Sequence, residues 1–231
     1  AAAGNLSPGA SYFFRLAASN PAGVAWSGVA SFTLLPPTPL TWYAATNGAG
    51  TEGTNWGTAF TALLPAFVEM GSTDVLCLAG HTFQMSSEQD WNLSSLTLRG
   101  GYEGTAGSGP GSNNPSLWPT VIARPGSSTN RLLYIHNLTN ALLEDLILSN
   151  GYTTNQPGAG LYLSRADGVT LRRCRVERNV AYLTLDHVTS YGGGIYAKDC
   201  QGLLLDGCTV EGNVTHGDSW HSRGFGGGVF G

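Results

Sequence analysis

From Leu133 onward, apolar and polar positions recur in one fixed order. Leu133-Tyr134-Ile135, Leu161-Tyr162-Leu163, Ile195-Tyr196-Ala197 and Val229-Phe230-Gly231 share a pattern, and their central aromatics stand 28, 34 and 34 residues apart. Apolar positions that alternate with period two predict strands. Nine residues after each of the first three aromatics stands a leucine that opens a second strand of the form L-x-x-[LC]-x-[LV]. These strands are Leu143/Leu146/Leu148, Leu171/Cys174/Val176 and Leu205/Cys208/Val210, and they close at Asn150, Asn179 and Asn213, the first one residue early. Glycine blocks Gly158-Ala159-Gly160, Gly192-Gly193-Gly194 and Gly226-Gly227-Gly228 precede the later aromatics, and the coil before Tyr134 lacks one. Strands that keep their internal spacing while the gaps between them vary predict an all-β solenoid.

Stacking places like positions in columns. Leu133, Ile135, Leu161, Leu163, Ile195 and Ala197 then face inward, and Tyr134, Tyr162, Tyr196 and Phe230 form an outward stripe. Stacked rings that strengthen adjacent strands are the plainer reading of that stripe; a platform for sugar rings is the functional one. Asn150, Asn179 and Asn213 are expected to bond along a turn ladder. A shift of one coil puts Arg172 between Glu144 and Asp206, and Arg173 beside Asp145. The plain reading is a charge ladder of low individual worth; the catalytic one is an arginine acting on a uronic-acid substrate. His187 and His221 each fall eight residues after their asparagine, in the long loops at 180–191 and 214–225 that also carry Asp186, His216 and Asp218. Two histidines and two carboxylates suit metal binding or acid–base work, but tight ligand spacing such as H-x-x-x-H is absent.

Upstream, Ser11–Ala18 and Val29–Leu34 read as two strands around the Asn20-Pro21-Ala22-Gly23 turn. Residues 36–40 form a Pro-rich linker. A strand at Leu40–Ala45 leads to a capping loop and helix within 53–72, the helix running over 58–70 with Thr58 as N-cap and Pro65 as a kink. A solenoid exposes the apolar end of its first coil, so such a cap is required. Further strands are expected at Asp74–Gly80, Leu93–Leu98 and Thr120–Ala123. Gly48-Ala49-Gly50-Thr51-Glu52-Gly53 matches a dinucleotide fingerprint, but no alternating helices follow to build a doubly wound sheet.

Composition narrows the function classes. Only 11% of the 231 residues are charged, 33 are glycine, and lysine occurs once, as Lys198. Such a chain favours turns and strands over helical surface. A net charge of −4 without basic runs argues against a nucleic-acid partner, and no apolar run is long enough for a membrane span. The four cysteines lack metal spacing. Cys174 and Cys208 share a slot in successive coils, read either as buried thiols acting as small hydrophobes or as a disulfide with an awkward torsion. No cofactor or metal is implied.

Two resemblances add to this. Leu6 through Asn20, with its Pro8-Gly9 turn and Tyr12, resembles the end of a fibronectin type III domain, of which residues 1–35 hold only the C-terminal hairpin. Asn47–Trp56, the helix, Asp74–Thr82, Gly100-Gly101-Tyr102 and Asn114-Pro115 through Ile122 look like the entry of bacterial right-handed parallel β-helix proteins. The later Gly-Gly-Gly-[IV]-[YF] units resemble repeats of polymorphic outer-membrane proteins, within the pectin-lyase-like fold. These resemblances imply a right-handed parallel β-helix over 41–231 with an N-terminal capping helix, behind a partial fibronectin-like hairpin. The chain is expected to start inside one domain and, at Gly231, to stop inside a coil. The implied protein is extracellular or on the outer surface of a bacterium, a rigid stalk, adhesin or filament element that is not an enzyme. The implied partners are a polysaccharide or surface glycan, and a second copy pairing with the incomplete hairpin. The runner-up is a polysaccharide lyase or glycoside hydrolase, for which two carboxylates ~5–10 Å apart beside Arg172 or His187 would speak.

Overall fold

The structure, a computed structural model, describes residues 6–7, 9–34, 38–91, 93–105, 107, 109–187, 189–217 and 222–231, with the side chains of Gln89 and Asp90 outside the description. Pro36 and Pro37 of the expected linker lie outside the described residues. The chain divides into two compact units, residues 1–38 and 39–231.

The first unit is a long antiparallel hairpin. Ser11–Phe14 pairs with Ala30–Thr33, and Ala17–Asn20 pairs with Gly23–Trp26 across the turn at 20–23. The sum of partner numbers drops by one between the two ladders, so the strands are offset around Arg15-Leu16 and Ser27–Val29. The segment Gly23–Trp26 is a strand, where the sequence reading had the end of the turn at Gly23 and no element before Val29. The Tyr12 hydroxyl donates to the Ser7 carbonyl (3.2 Å) and accepts from the Ser7 amide. Phe13, Leu16, Val24, Trp26 and Val29 are all exposed.

The second unit is mostly β, its sheets are parallel, and α1 (Leu63–Glu69) is its one α-helix among the described residues. The first sheet runs Thr41–Ala44, Val75–Ala79, Leu96–Tyr102, Ala141–Glu144, Thr170–Arg172, Leu204–Asp206. The second runs Gln89–Trp91, Leu133–His136, Leu161–Ser164, Ile195–Lys198, Val229–Phe230; the third runs Thr82–Gln84, Thr120–Ala123, Leu146–Ser149, Arg175–Glu177, Thr209–Glu211. From Val75 on, the chain visits first, third and second sheet in that order and then repeats it. Tyr134 pairs with Tyr162, Tyr162 with Tyr196, and Tyr196 with Phe230. Leu133, Ile135, Leu143, Leu146, Leu148 and their counterparts Leu161, Leu163, Leu171, Cys174 and Val176 form one buried core, each at most 1% exposed.

The structure corrects three local expectations. The L-x-x-[LC]-x-[LV] stretch is two strands in two sheets, because Asp145, Arg173 and Gly207 adopt φ of +56°, +49° and +60° and turn the chain between them. An interval of three between inward residues, where a strand allows two, is that corner. Asn150 is not on the asparagine ladder; it shares a left-handed position with Arg178 and Gly212 (φ +66°, +55° and +60°), and Gly151 holds the slot of Asn179 and Asn213. The predicted helix over 58–70 is a 3₁₀ turn at Trp56–Thr58 followed by α1. Asn55, not Thr58, caps the first, accepting from the Thr58 amide (3.1 Å). Pro65 lies in the first turn of α1, where its missing N–H costs no intrahelical bond.

The asparagine and glycine columns are one device. Asn179 is fully buried; its side chain accepts from the Gly151 amide (2.7 Å) and donates to the Leu148 carbonyl (3.1 Å) and to Asn213 Oδ1 (2.9 Å). A Cβ on Gly160 would lie 2.8 Å from Asn179 Nδ2, and one on Gly194 2.8 Å from Asn213 Cγ. The amide can fill its place only where the facing residue has no side chain.

At the start of the unit Asp74, 6% exposed, accepts from the Leu40 amide (2.9 Å), Trp42 Nε1 (2.8 Å) and the Gly71 amide (2.8 Å). Burial raises its pKa, and the bonds from Trp42, Leu40 and Gly71 outweigh that, leaving it below the ordinary aspartate value. No helix among the described residues is long and apolar enough to cross a membrane.

Two predictions follow from these contacts. Asn179→Ala strands two buried partners, the Gly151 amide and the Leu148 carbonyl, and should lower unfolding free energy in urea by about 2–3 kcal/mol, whereas Asn150→Gly relieves a left-handed position and should change it by under ~1 kcal/mol. A folded pKa below the unfolded one gives stability that is present above pH ~4 and lost as pH falls through the folded value. Asp74→Asn should therefore cost about 1–3 kcal/mol at neutral pH and flatten the acid limb of the stability–pH curve.

Candidate functional site

Charge concentrates on the first sheet, where registered residues alternate in sign. Arg99 pairs with Glu144, Glu144 with Arg172, and Arg172 with Asp206. The ion pairs measure 3.2 Å for Arg99–Glu144, 3.5 Å for Arg172–Glu144 and 3.2 Å for Arg172–Asp206. Around the corner Arg173 grips Asp145 with two bonds of 2.8 Å and adds a 2.9 Å bond from Nη2 to Glu144 Oε1. Arg172 thus lies between Glu144 and Asp206, and Arg173 beside Asp145. The bonds to Asp145 raise the Arg173 pKa against the effect of burial, so its charge is fixed. On the third sheet the buried Glu177 is held by Arg175 and Arg178 in the same manner.

One guanidinium nitrogen bonds both Glu144 and Asp145 (2.9 and 2.8 Å), which brings the two carboxyls to the short end of the range that glycosidic chemistry uses or below it. Their state does not suit it. Arg173 donates to both Asp145 oxygens and to Glu144 Oε1, Glu144 Oε2 lies 3.2 Å from Arg99 Nε as an ion pair, and Asp145 is 4% exposed. General-acid work needs a carboxyl able to hold a proton toward substrate.

The histidine loops are only partly within the description. His187 Nε2 lies 3.6 Å from Asp186 Oδ2, both side chains are exposed, and His187 has φ +59°. Asp218 and His221 lie outside the described residues. The flanking strands keep an offset of 34 on both sides, Leu183 with Gly217 and Thr189 with Arg223. His216 stands over Tyr182 with ring centroids 5.8 Å apart. Among the described residues no three of His, Cys, Asp and Glu converge on a metal-sized site.

The aromatic stripe is a stack. Centroids are 4.9 Å apart for Tyr134–Tyr162, 5.1 Å for Tyr162–Tyr196 and 6.1 Å for Tyr196–Phe230, with interplanar angles of 23°, 32° and 36°. Tyr191 adds to it at 5.6 Å from Tyr196, and His136 covers Tyr134 at 4.8 Å. The ring faces are turned largely on one another, so a sugar ring would have to displace a neighbour to use one.

No family model, curated protein or solved structure matches this chain.

Sequence reasoning missed Arg131. Its side chain is 6% exposed, pairs with Glu88 (3.1 Å), donates to Gln156 (2.9 Å) and lies 4.8 Å from the Tyr162 ring centroid. Burial lowers its pKa against the pull of Glu88 and the two tyrosines. It lines a polar cleft of about 480 Å³ with Ser86, Thr129, Asn130 and Thr154. The available signal was a charged residue directly before the inward pair Leu132-Leu133, in the column where later repeats carry Ala159 and Gly193.

The two adjacent arginines should separate in their effect on stability. Arg173→Ala leaves Asp145 buried without its bidentate partner and should cost about 2 kcal/mol, below a fully buried pair because the guanidinium is half exposed. Arg172→Ala removes an exposed rung and should cost under ~1 kcal/mol. Urea unfolding of the two variants gives both values.

Proposed function

We propose that residues 41–231 form a right-handed parallel β-helix that serves as a rigid element, stalk, adhesin or filament segment, of a large bacterial protein secreted or displayed on the outer surface. The observation that carries this reading is the unbroken register: Tyr134, Tyr162, Tyr196 and Phe230 pair in sequence, and so do Arg99, Glu144, Arg172 and Asp206. The cyclic order of the sheets is what a helical path produces, and the handedness follows the rule for parallel crossovers. In-register stacking leaves each repeat stabilised by its neighbours alone, which suits a length-spanning element. The distribution of chemistry agrees, because the charged and aromatic groups on the sheet faces are engaged with one another. A surface glycan is the partner this reading allows at the polar margins, and the hairpin of residues 11–33 offers edges on which a second copy could add a strand. The lyase or hydrolase alternative draws on the Glu144–Asp145 proximity and requires Arg173 to release one of them.

Two measurements test the reading. Val75, Thr97, Leu142, Thr170 and Leu204 share one column. Spin labels at Val75 and Leu204, with Cys200 and Cys208 replaced by serine, should lie four strand spacings apart, about 19 Å, in a narrow distribution. A broad or much longer distribution rejects the stacked rod. Incubation with uronic and neutral polysaccharides should release no unsaturated or reducing ends. Turnover that disappears in Arg172→Ala without a fall in Tm would establish the enzyme instead.

A further inference from the structure

Cys174 and Cys208 occupy one corner in successive repeats. Registered pairs flank them, Arg172 with Asp206 before and Arg175 with Thr209 after, and the Thr209 amide donates to the Cys174 carbonyl (2.9 Å). The two thiols are arranged alike. Each donates to a leucine carbonyl in the preceding repeat, Cys174 to Leu143 and Cys208 to Leu171, both at 3.2 Å. Adjacent parallel strands put backbones about 4.8 Å apart, inside the Cα separation that a disulfide spans. Their exposure differs: Cys174 is 1% exposed, while Cys208 is only partly buried. All four cysteines of the chain are free thiols in this structure.

We propose that this pair is a site of thiol–disulfide exchange, which takes small-molecule disulfides at Cys208 and closes into a cystine bridging two successive repeats. The Cys208 thiolate attacks one sulfur of the external disulfide, whose other sulfur leaves with the bonding electrons as a thiolate and takes up a proton. The Cys174 thiol then loses its proton to solvent base, and its sulfur attacks Cys208 Sγ and expels the second small thiolate. Two protein thiols and one external disulfide become one cystine and two small thiols, so the external disulfide is the oxidant. The assignment of roles follows exposure and hydrogen bonding. The neighbouring Cys174 lowers the Cys208 pKa against the effect of burial, whereas the neighbouring Cys208 and burial raise that of Cys174. A partly exposed thiolate beside a buried thiol is the arrangement of an attacking and a resolving cysteine. The closed bond ties residues 34 positions apart and removes freedom from the unfolded chain. This inference does not depend on whether the unit is a stalk or an enzyme.

The test uses the full chain with Cys200→Ser, incubated natively with oxidised glutathione and followed by intact mass, peptide mapping and thermal unfolding. The expected product has lost two hydrogens, links the peptides of Cys174 and Cys208, melts roughly 5 °C higher and reverts with a dithiol. Cys174→Ser should stop at one glutathione on Cys208, and Cys208→Ser should leave Cys174 unmodified, with Tm reporting that both variants remain folded. A glutathione adduct that persists on Cys208 while Cys174 is present overturns the proposal. So does the absence of reaction at Cys208, or a linkage that forms only after denaturation.

Discussion

The hydrogen-bond ladder of the second unit does not stop where its strands stop, and the rest of the architecture depends on that continuity. At the corners between the three main sheets from Asn137 onward one residue is left-handed, and its amide donates to the carbonyl of the residue just before the equivalent corner in the next repeat. Asn137 reaches Ser164 and Arg165 reaches Lys198; Asp145 reaches Arg172 and Arg173 reaches Asp206; Asn150 reaches Glu177 and Arg178 reaches Glu211. The same relation joins Asn140 to Asp167 and Gly168 to Gln201. A left-handed residue other than glycine costs roughly 1–2 kcal/mol, and an unpaired buried amide costs a similar amount. Keeping every corner in the same conformation satisfies the amides, so the strain is tolerated. It also explains which residues stand there: glycine, asparagine and aspartate by preference. Arginine stands at 165, 173 and 178, and at the last two its guanidinium holds a buried carboxylate nearby, Asp145 or Glu177.

Fixed register turns every side chain into a neighbour of its counterpart about 4.8 Å away, and each chemical type meets that condition differently. Apolar residues and tyrosines gain from like neighbours, and so does an amide, which both donates and accepts: hence the stack from Tyr134 to Phe230 and the bond from Asn179 to Asn213. Like charges cannot share a column without cost. Position 144 on the first sheet answers by alternation, Arg99, Glu144, Arg172, Asp206. Where Glu177 and Glu211 do fall in register, Arg175 lies against both (3.6 Å to Glu211). The scarcity of charge in the chain, and of lysine above all, is consistent with a fold in which each charge must find an opposite one above, below or beside it.

Legibility in the sequence followed the same division. Features that recur at a constant offset could be read directly: the aromatic column, the inward leucines and the placement of Arg172 and Arg173 all come from adding 28 or 34. Features that break the period could not. The corner at Asp145 was hidden because Leu143 and Leu146 look like one apolar strand unless the odd interval is taken as a turn. Asn150 was assigned to the ladder by residue type, while the spacing from Leu148 pointed to Gly151. The capping segment has no repeat to compare with, and propensity alone placed its helix five residues early. Arg131 was invisible because its partner Glu88 lies 43 positions away in the least regular repeat, and nothing in the local pattern links the two.

This division bears on where ligand chemistry can reside. A group inside a regular column is already satisfied by its counterparts, so a ligand must compete with a neighbour held in place by the whole ladder. Glu144 and Asp145 illustrate it: they are close together, and Arg173 bonds three of their four oxygens while Arg99 and Arg172 pair with Glu144. A position without a like residue in the next repeat faces no such competitor. Arg131 stands over Ala159 and Gly193, residues too small to answer it, and its guanidinium is held instead by Glu88, Gln156 and the tyrosine edge of the stack. The loops at 184–187 likewise leave the sheets, between strands whose offset is unchanged on both sides. In this fold departures from the period, rather than the conspicuous repeats, are where side chains keep bonding capacity to spend on something other than their own column.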